Sequence, residues 1–508
     1  MIVKIGSASL WGLDGFPVTV EAYFGGGLPE TEMIGLPDTA VKESLNRIRA
    51  AAHSLGLPLP RGAVTVSLAP ADRKKVGSGF DLPILIALLC GTVLKEVDLS
   101  GTFFFGELGL DGALRPGAGA LCRALAAKRA GARRLFCPAA NVRECSAVDG
   151  VEVYGAESVG KILDHLFGRA VLPRAEFDRA KVETDETCEV DFADIKGQAV
   201  AKRAMEIAAA GGHNILLVGP PGSGKSMLSH ALPGILPAMR FEEMLEVTAI
   251  HSVAGVLPEN ATILSRRPFR APHHTLSFVG LAGGGQVPQP GEISLAHHGV
   301  LFLDELPEFA KKNLEVLRQP LEDGKITLTR ANWKETFPSD FMLVCAMNPC
   351  PCGYFGDETH RCRCTKAQVQ HYIEKISGPL LDRIDMRVEV PAVPFEALRD
   401  TAPAESSRTV RERVNTARAL AAARYQKEGV TKNGALSAAQ TKKYCTLTPA
   451  AEDLLREMFQ KLNLSARGHD RILRLARTIA DLAGAEDISD EHLFEAVQYR
   501  VSTEKYFE

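Results

Sequence analysis

The glycine-rich stretch at residues 219–226 combines residue types that bind phosphate groups. It reads Gly-Pro-Pro-Gly-Ser-Gly-Lys-Ser and matches the pattern G-x-x-x-x-G-K-[ST] at every fixed position. A short apolar strand pattern precedes it and a helical pattern follows, so its backbone N–H groups can converge on phosphate oxygens at the start of a helix. The spacing predicts binding of a nucleoside triphosphate, with Lys225 at the β- and γ-phosphates and Ser226 at Mg²⁺. The residues of this phosphate loop are Gly219, Pro220, Pro221, Gly222, Ser223, Gly224, Lys225 and Ser226.

Two acidic residues end a strongly apolar strand pattern further along the chain. Residues 300–303 read Val-Leu-Phe-Leu, and Asp304 and Glu305 follow directly. Because phosphoryl transfer depends on positioning and charge neutralisation, we expect Asp304 to complete the Mg²⁺ shell and Glu305 to polarise the attacking water. The alternative is a structural role, since apolar strands that end in acids are common in α/β proteins.

A polar residue also ends the next apolar strand pattern, at residues 341–347. Asn348 follows this strand and precedes Pro349. Strand order and spacing predict that the Asn348 side chain lies beside the γ-phosphate and senses its loss. The alternative is an asparagine that begins a turn before the proline.

The elements that must position these residues divide the 508-residue chain into four segments. Residues 1–168 alternate short strand and helix patterns, which predicts a small α/β domain, and residues 169–190 have the charged, aperiodic composition of a linker. Residues 191–396 contain the phosphate loop and the acidic strand, which predicts an α/β motor core with a parallel sheet. Residues 397–508 predict a C-terminal α-helical lid, so the fold class is α/β with a helical end.

Composition and charge narrow the class of protein. The net charge of −3 gives no global nucleic-acid signal, so any DNA contact must come from local basic elements. The N-terminus lacks a secretory pattern, and the apolar run at residues 82–94 is too short to span a bilayer. Eleven cysteines without a signal peptide indicate thiols or a metal site rather than disulfides. We therefore expect a cytoplasmic protein without a membrane partner.

Two N-terminal segments resemble the proteolytic domain of Lon-type proteases. They read ADRKKVGSGFDLP at residues 71–83 and GELGLDGALRP at residues 106–116. The Lon enzymes use a serine nucleophile and a lysine base, and the resemblance places these on Gly79 and Arg123. Because glycine offers no nucleophile and arginine stays charged near neutral pH, we expect a Lon-like domain without protease chemistry. Its role would be oligomer contacts or substrate guidance.

Three motifs resemble Mg-chelatase-type AAA+ ATPases, most closely the ComM/YifB branch. They are FRAPHHT at residues 269–275, GEISLAHHGVLFLDEL at residues 291–306 and SGPLLDRID at residues 377–385. The resemblance covers essentially the whole chain and implies a Lon-like N-domain, an AAA+ core and a helical lid. It also implies a homo-hexamer that hydrolyses ATP with Mg²⁺ and acts on single-stranded or branched DNA, with branch migration in recombination and natural transformation as its role. In such motors the segment at residues 194–198 touches the adenine.

The same resemblance assigns roles to arginines. Arg383 stands where related motors place an arginine finger, which a neighbouring subunit supplies to complete the transition-state charge. The alternative is an ion pair within the subunit to one of the aspartates at positions 382 and 385. Arg467 occupies the sensor-2 position of the lid, and Arg471 and Arg474 are its alternatives.

Residues 325–337 show the alternating pattern of a β-hairpin with a polar turn near residues 331–332. Chelatase-type and replicative-helicase relatives insert a hairpin at this place in the core. Lys325, Arg330 and Lys334 are candidates to face a central pore and contact phosphates, and Trp333 is available for stacking on bases. The alternative is a solvated basic hairpin whose Trp333 packs against the core.

A cluster of four cysteines follows Asn348 at close spacing. Four thiols in a glycine-bearing loop can enclose a tetrahedral Zn²⁺, with His360 as a substitute ligand. The C-x-C spacing is less specific than C-x₂-C, and free thiols or a redox pair are the alternatives. The histidine pairs at positions 273–274 and 297–298 lack a supporting carboxylate spacing, so we expect core or interface roles for them. The four cysteines are Cys350, Cys352, Cys362 and Cys364.

Two other functions are alternatives to an ATP-driven ring that remodels DNA. A chelatase-type ring would instead remodel a metal-inserting or other protein partner, but the Lon-like domain and the cysteine cluster argue against it. An ATP-dependent protease would need a nucleophile at Gly79. The sequence therefore favours an ATP hydrolase of the DNA-helicase or branch-migration type.

Overall fold

The computed structural model describes most of the chain, with short gaps. The described residues are 1–28, 30–182, 188–258, 261–331, 333–357, 360–394, 404–461, 465–503 and 506–507. Residues 183–187 of the predicted linker, the predicted core–lid boundary at 396–397 and Asn332 of the predicted hairpin turn lie outside them. Within the described part, no helix combines the length and apolar character needed to cross a membrane.

Short strands and helices alternate along most of the chain. The strands are β1 (Ile2–Trp11), β2 (Asp14–Phe24), β3 (Thr31–Ile34), β4 (Val64–Ala69), β5 (Thr102–Phe104), β6 (Glu107–Leu108), β7 (Leu114–Arg115), β8 (Arg134–Pro138), β9 (Glu152–Ala156), β10 (Ile215–Val218), β11 (Phe269–Arg270), β12 (Gly283–Gly284), β13 (Gln289–Pro290), β14 (Val300–Leu303), β15 (Lys325–Arg330), β16 (Trp333–Pro338), β17 (Met342–Met347) and β18 (Met386–Glu389). The helices are α1 (Thr39–Ser54), α2 (Asp81–Leu89), α3 (Ala120–Arg129), α4 (Val142–Ser146), α5 (Val159–Leu166), α6 (Ala199–Gly211), α7 (Lys225–Ala231), α8 (Phe241–Val253), α9 (Phe278–Ala282), α10 (Glu292–Leu295), α11 (Lys311–Glu315), α12 (Pro320–Asp323), α13 (Lys366–Ile373), α14 (Gly378–Leu381), α15 (Ser407–Arg424), α16 (Ala438–Tyr444), α17 (Pro449–Lys461), α18 (Ala466–Leu482) and α19 (Asp490–Val501).

The chain forms two compact units. The first comprises Met1–Glu183, Phe241–Ser265 and Gly285–Pro290, and the second comprises the remaining three segments through Glu508. The predicted motor core at residues 191–396 includes Phe241–Ser265 and Gly285–Pro290. They pack with the first unit, because α8 lies against α3.

The first unit is built on a seven-stranded mixed sheet in the order β3-β4-β2-β1-β5-β8-β9. Strand β4 alternates buried and partly exposed residues, as expected for a strand with one face on a core. Helix α2 is buried along its whole length, and its first residue, Asp81, pairs with Arg47 at 2.6 Å. That pairing satisfies a carboxylate that would otherwise be costly to bury.

The second unit is built on a five-stranded parallel sheet in the order β11-β14-β17-β10-β18. Strands β10, β14 and β17 are buried at every residue, which explains why they read as continuous apolar runs. Since carboxyl ends of parallel strands meet at one edge of a sheet, this order brings the residues after β10, β17 and β14 together. The parallel sheet expected for the core is present.

The C-terminal part of the second unit is helical, as the sequence predicts. Helices α15 and α18 both pack on α6, which precedes the phosphate-loop strand. Within this helical part Arg424 donates to both carboxylate oxygens of Asp481, at 2.6 and 3.0 Å. Two parallel charge-assisted hydrogen bonds of this kind fix the relative orientation of α15 and α18.

Candidate functional site

The phosphate loop runs from the end of β10 to the start of α7. Gly222 and Gly224 have φ values of 76° and 89°, in the left-handed region that glycine adopts without strain. Gly219 has no room for a side chain, because a Cβ there would lie 2.1 Å from the carbonyl oxygen of Val390. These glycines give the loop the conformation that a phosphate-binding turn before a helix requires.

Lys225 lies buried at the centre of this loop. Its ammonium donates to the carbonyl oxygens of Gly219 and Pro220, at 2.7 and 2.8 Å, and to Oδ1 of Asn348 at 3.3 Å. Burial lowers the pKa of Lys225 to about 8, while the nearby Asp304 carboxylate acts in the opposite direction. A partly desolvated ammonium at this place is suited to bind phosphate oxygens.

Two oxygen donors of the kind that Mg²⁺ prefers lie next to Lys225. The Ser226 hydroxyl donates to Oδ2 of Asp304 at 2.8 Å, and the backbone N–H of Glu305 donates to Oδ1 of the same carboxylate at 2.9 Å. A hydroxyl and a carboxylate held this close fit the ligand set of a Mg²⁺ ion that is bound largely through substrate phosphates. The site residues therefore fit ATP together with Mg²⁺.

Glu305 adopts an unusual backbone conformation, with φ at 52°. A non-glycine residue in the left-handed region is held there by its surroundings, and such positions cluster at functional sites. Its carboxylate lies 3.3 Å from Nδ1 of His274. From the sequence, His274 is expected only in a core or interface role, and no pattern there links it to Glu305. The one signal that pointed to it was its place in the FRAPHHT motif.

Asn348 lies at the end of β17, between the phosphate-loop strand and the acidic strand. Its side-chain oxygen accepts from Lys225, as described above. This contact places the amide beside the residue expected to hold the terminal phosphates, which favours the sensor interpretation over a simple turn residue. Gln198, in the segment expected to touch the adenine, also contacts the phosphate loop. Its side-chain amide donates to the carbonyl oxygens of Ser223 and Pro391.

Arg383 pairs with neither of the aspartates that flank it in sequence. Its guanidinium donates to Glu322 and to the carbonyl oxygen of Pro379. Asp385 instead accepts from the backbone N–H of Asn214 at 3.1 Å and lies 3.6 Å from Nε of Arg471. The ion pair within the subunit is therefore present, but with a partner more than sixty residues away in sequence. Glu322 is exposed, and the contact with Arg383 holds the pKa of its carboxyl below the usual value.

The three lid arginines have different environments. Arg467 is two-thirds exposed near the start of α18, and its guanidinium lies 3.9 Å from Glu322. Arg474 donates to two backbone carbonyl oxygens within the lid, at 2.9 and 3.1 Å, and Arg471 contacts Asp385. Arg467 is thus the most exposed of the three, and it shares the Glu322 carboxylate with Arg383.

The hairpin predicted at residues 325–337 is present. Strands β15 and β16 pair antiparallel, with Arg330 opposite Trp333 and Thr329 opposite Lys334. Because side chains alternate along a strand, Lys325 and Lys334 lie on one face, whereas Arg330 and Trp333 lie on the other. The basic residues are exposed and make no ion pair among the described residues, while Trp333 is half-buried. The Arg330 side chain therefore points to the opposite face of the hairpin from Lys325 and Lys334, and a contact of the three with DNA phosphates stays a prediction.

The four cysteines converge on one point after Asn348. The Sγ atom of Cys350 lies 3.4 Å from that of Cys352 and 3.8 Å from that of Cys362, and all four sulfurs lie within 4.8 Å of one another. These distances are far longer than the S–S bond of about 2.05 Å, so the thiols are free. His360 is not part of the group, because its ring stacks on Tyr354 and its Nδ1 lies 3.6 Å from Asp357.

Gly79 and Arg123, on which the resemblance to Lon-type proteases places a serine and a lysine, are neighbours in the first unit. A Cβ at Gly79 would lie 3.2 Å from the guanidinium carbon of Arg123. Arg123 is buried and donates to the carbonyl oxygen of Ala8 at 2.5 Å, and the neighbouring Ser78 hydroxyl donates to Glu107. A permanently charged arginine at the base position cannot activate a hydroxyl. The absence of protease chemistry in this unit stays a prediction.

Comparison with protein-family models matches three segments of the chain. Residues 191–398 match the model described as magnesium chelatase, subunit ChlI, and residues 20–141 match subunit ChlI of Mg-chelatase. Residues 404–500 match the C-terminal part of the same subunit. Together these matches include the sheet of the second unit and most of its helical end.

Several relatives match nearly the whole chain. The uncharacterized protein YifB of Salmonella typhimurium is 42% identical over 96% of this chain and 95% of its own length. The competence protein ComM of Haemophilus influenzae is 42% identical over 95% of this chain and 94% of its own. A third relative matches only part of the chain: the magnesium-chelatase 67 kDa subunit of Chlorobaculum parvum is 32% identical over 32% of this chain and 23% of its own.

The site agrees with these similarities, because it combines a phosphate loop with paired acids. The two relatives that match nearly the whole chain show its family. The chain belongs to the ComM/YifB-type family of Mg-chelatase-like proteins, whose AAA+ core implies an ATPase that uses ATP and Mg²⁺.

Proposed function

We propose that this protein is a ring-forming AAA+ ATPase that couples ATP hydrolysis to DNA remodelling, in particular branch migration during homologous recombination or natural transformation. The observation that carries the ATPase part is the convergence of Lys225, Ser226, Asp304, Glu305 and Asn348 at one edge of a parallel sheet. The DNA part is supported by the exposed basic hairpin and by end-to-end similarity to a relative named as a competence protein.

Each residue of the site has a defined task in this mechanism. Lys225 and the backbone N–H groups of the phosphate loop bind and orient the phosphates, and Ser226 with Asp304 would hold Mg²⁺. The ion supplies positive charge that neutralises the phosphate oxygens during transfer. Glu305, oriented by His274, accepts a hydrogen bond from the attacking water and aligns it for in-line attack.

Asn348 and Arg467 are the proposed sensors of the terminal phosphate, and Arg383 is the proposed arginine finger. Asn348 contacts Lys225, so its amide is placed to respond when the terminal phosphate leaves. Arg383 is the proposed finger for a neighbouring subunit, where a guanidinium would stabilise the transition-state charge. To act in this way, the Arg383 guanidinium would have to leave Glu322 and bind the phosphate instead. Arg467, which also lies near Glu322, would act as the sensor of the lid.

The hairpin formed by β15 and β16 is the proposed DNA contact. Its exposed cations Lys325, Arg330 and Lys334 can neutralise phosphates, and Trp333 at the tip can stack on a base. Because a single strand offers both phosphates and unstacked bases, this combination favours single-stranded or branched DNA over an intact duplex.

Steady-state ATP hydrolysis by the purified full-length protein tests the proposal. Rates are measured without DNA, with single-stranded DNA and with a three- or four-strand branched substrate. We expect DNA to stimulate hydrolysis, and we expect Lys334→Ala combined with Arg330→Ala to abolish this stimulation while basal hydrolysis is kept. Lys225→Ala is the blank, with a rate reduced roughly a hundredfold or more because it removes a phosphate ligand.

Two outcomes would contradict the proposal in different ways. Hydrolysis that is unchanged by every DNA would refute the DNA part and favour the rival function, a chelatase-type remodeller of a protein partner. Absence of hydrolysis in the wild-type protein under all conditions would refute the ATPase part. A positive result leads to strand-displacement assays on branched substrates, which measure branch migration itself.

A further inference from the structure

We propose that Cys350, Cys352, Cys362 and Cys364 bind one Zn²⁺ ion, and that this metal centre holds the phosphate loop in its working position. The metal-binding part stands on the cysteine geometry alone. The positioning part rests on the proposed ATPase function.

The sulfur geometry matches tetrahedral coordination by four thiolates. A Zn–S bond of about 2.3 Å in a regular tetrahedron separates neighbouring sulfurs by about 3.8 Å. The separations among Cys350, Cys352 and Cys362 are 3.4, 3.6 and 3.8 Å, and Cys364 lies in the same group within 4.8 Å. Sulfur shifts of about 1 Å or less would therefore bring all four thiolates to the tetrahedral separation.

Packing does not explain why these four residues are cysteines. Free cysteines behave as small buried hydrophobes, and several others in the chain, such as Cys90, Cys345 and Cys445, are buried in the hydrophobic cores or among their strands. In the cluster only Cys350 is buried, while the remaining three are partly exposed. Polarizable thiols gathered at a partly solvated place suit a soft or borderline metal ion such as Zn²⁺.

The loop that contains the cluster connects β17 to α13 and has no helix or strand among its described residues. The first cysteine follows Asn348 by two residues, so the cluster is covalently joined to the end of β17. The described part of the loop is therefore not held by the backbone hydrogen bonds of a helix or strand. A metal site with four ligands commonly stabilises such a loop instead.

The loop touches the phosphate loop directly. Gly353 lies between the second and third cysteines, and a Cβ there would lie 2.5 Å from Cδ of Pro221. The N–H of Gly353 donates to the carbonyl oxygen of Cys350 at 2.9 Å, which ties this contact to the first ligand. A metal that fixes Cys350 and Cys352 would consequently fix the backbone that supports Pro221.

The middle of the loop contacts Tyr506, near the C-terminal end of the described chain. A Cβ at Gly356 would lie 3.3 Å from the Tyr506 ring, and Phe355 packs against the same ring with centroids 6.3 Å apart. The Tyr506 hydroxyl donates to Glu389 at 2.5 Å, at the end of β18. The cluster thus lies in a loop braced between the phosphate loop and the end of a second core strand.

Binding would convert four thiols and one aqueous Zn²⁺ into a tetrathiolate complex with release of four protons to solvent. No electron is transferred and no further reactant is needed. The bound form replaces four independent side chains by one rigid centre, which is how structural zinc stabilises loops that lack a hydrophobic core.

Metal analysis of the full-length protein, purified under reducing conditions without chelator, tests the first part. We expect about one zinc per chain by elemental mass spectrometry. Cys352→Ser combined with Cys362→Ser should lose the metal, whereas Cys188→Ser, a partly exposed cysteine outside the cluster, should keep it. Replacement by Co²⁺ should give the visible absorption of a tetrahedral thiolate site. A wild-type protein that carries no zinc and leaves all four thiols reactive after zinc addition would overturn the site.

ATP hydrolysis and nucleotide binding test the second part. The zinc-free double variant, and wild-type protein stripped of zinc, should retain their circular dichroism but lose about tenfold or more in hydrolysis rate, and zinc should restore the stripped wild type. Gly353→Ala should keep the zinc and still slow hydrolysis, because its Cβ meets Pro221. Zinc-free protein that hydrolyses ATP at the zinc-loaded rate overturns the positioning role. A zinc-loaded protein without any hydrolysis refutes the ATPase proposal but leaves the metal site established.

Discussion

Lys225 illustrates how the fold tunes a single charge for phosphate binding. The side chain is buried, yet its ammonium has oxygen partners at Gly219, Pro220 and Asn348. Burial disfavours the charged form, and the resulting pKa of about 8 lies well below the ordinary value of 10.5. The lysine therefore loses its proton at a lower pH than an exposed lysine would.

The affinity of the free protein for ATP should consequently fall as the pH rises through about 8. The protonated ammonium attracts the phosphates, whereas the neutral amine does not, so the direction of the change follows from the lowered pKa. Titration of a fluorescent ATP analogue at several pH values measures this. Lys225→Arg, which stays charged throughout the range, should bind more weakly but with a flat profile. Parallel profiles for the two proteins would contradict the assignment.

The contact between His274 and Glu305 leads to a second prediction about single residues. His274 lies 3.3 Å from the Glu305 carboxylate and is placed to orient it. We expect His274→Ala to lower kcat about tenfold with little change in KM for ATP, and His274→Gln, which keeps a donor, to recover part of the loss. The matched control is His273→Ala, since the His273 ring packs on His274 with centroids 4.1 Å apart but its Nδ1 contacts Thr275 rather than the acid. Equal effects at both histidines, or a change confined to KM, would refute a positioning role.

At the scale of elements, the parallel sheet does most of the assembly. Strand β17 lies between β10 and β14, so Asn348 follows a strand next to both the phosphate loop and the acids. The apolar runs and the fixed spacing of the phosphate loop made these strands and their terminal residues predictable from sequence, since each signal is local. The hairpin was predictable for the same reason, from its alternation.

Contacts between elements distant in sequence were not predictable in this way. Nothing near Arg383 in the sequence points to Glu322, and the FRAPHHT motif alone does not show that His274 reaches Glu305. The grouping of Phe241–Ser265 with the first unit was missed because α8 has no local pattern that distinguishes its packing partner. Tertiary packing decided each of these cases. Residue types and local periodicity leave such distant partners unspecified.

The hairpin provides a prediction at the same scale. Its register places Lys325 and Lys334 on one face and Arg330 with Trp333 on the other. If both faces contact single-stranded DNA, removing cations from either face should reduce the slope of the logarithm of the binding constant against the logarithm of the salt concentration. The expected reduction is about 0.7 for every cation removed. The two variants are the double substitution Lys325→Ala with Lys334→Ala, and Arg330→Ala alone. Fluorescence anisotropy at several salt concentrations measures the slope. Lys461→Ala, an exposed lysine of the lid paired with Glu457, is the control and should leave the slope unchanged.

At the scale of the whole molecule, the proposed finger role of Arg383 predicts that one chain alone is not sufficient for hydrolysis. Its guanidinium is bound to Glu322, whereas the ammonium of Lys225 in the same chain lies among the residues of the phosphate loop. A finger that acts on a neighbouring subunit would leave each chain with a site that lacks one cation. Hydrolysis would then depend on assembly, because the missing charge is worth orders of magnitude in rate.

Mixing two inactive variants tests this directly. Arg383→Ala and Glu305→Gln should each hydrolyse ATP about a thousandfold or more slowly than wild type, the first for lack of the finger and the second for lack of the residue that aligns water. In mixed assemblies, a Glu305→Gln subunit can supply Arg383 to the intact Glu305 of an Arg383→Ala subunit. We therefore expect activity to reappear on mixing, with a maximum at intermediate ratios and a loss on dilution below the assembly concentration. If Arg383 acts within its own chain, every mixed assembly contains only defective sites, and no ratio restores hydrolysis.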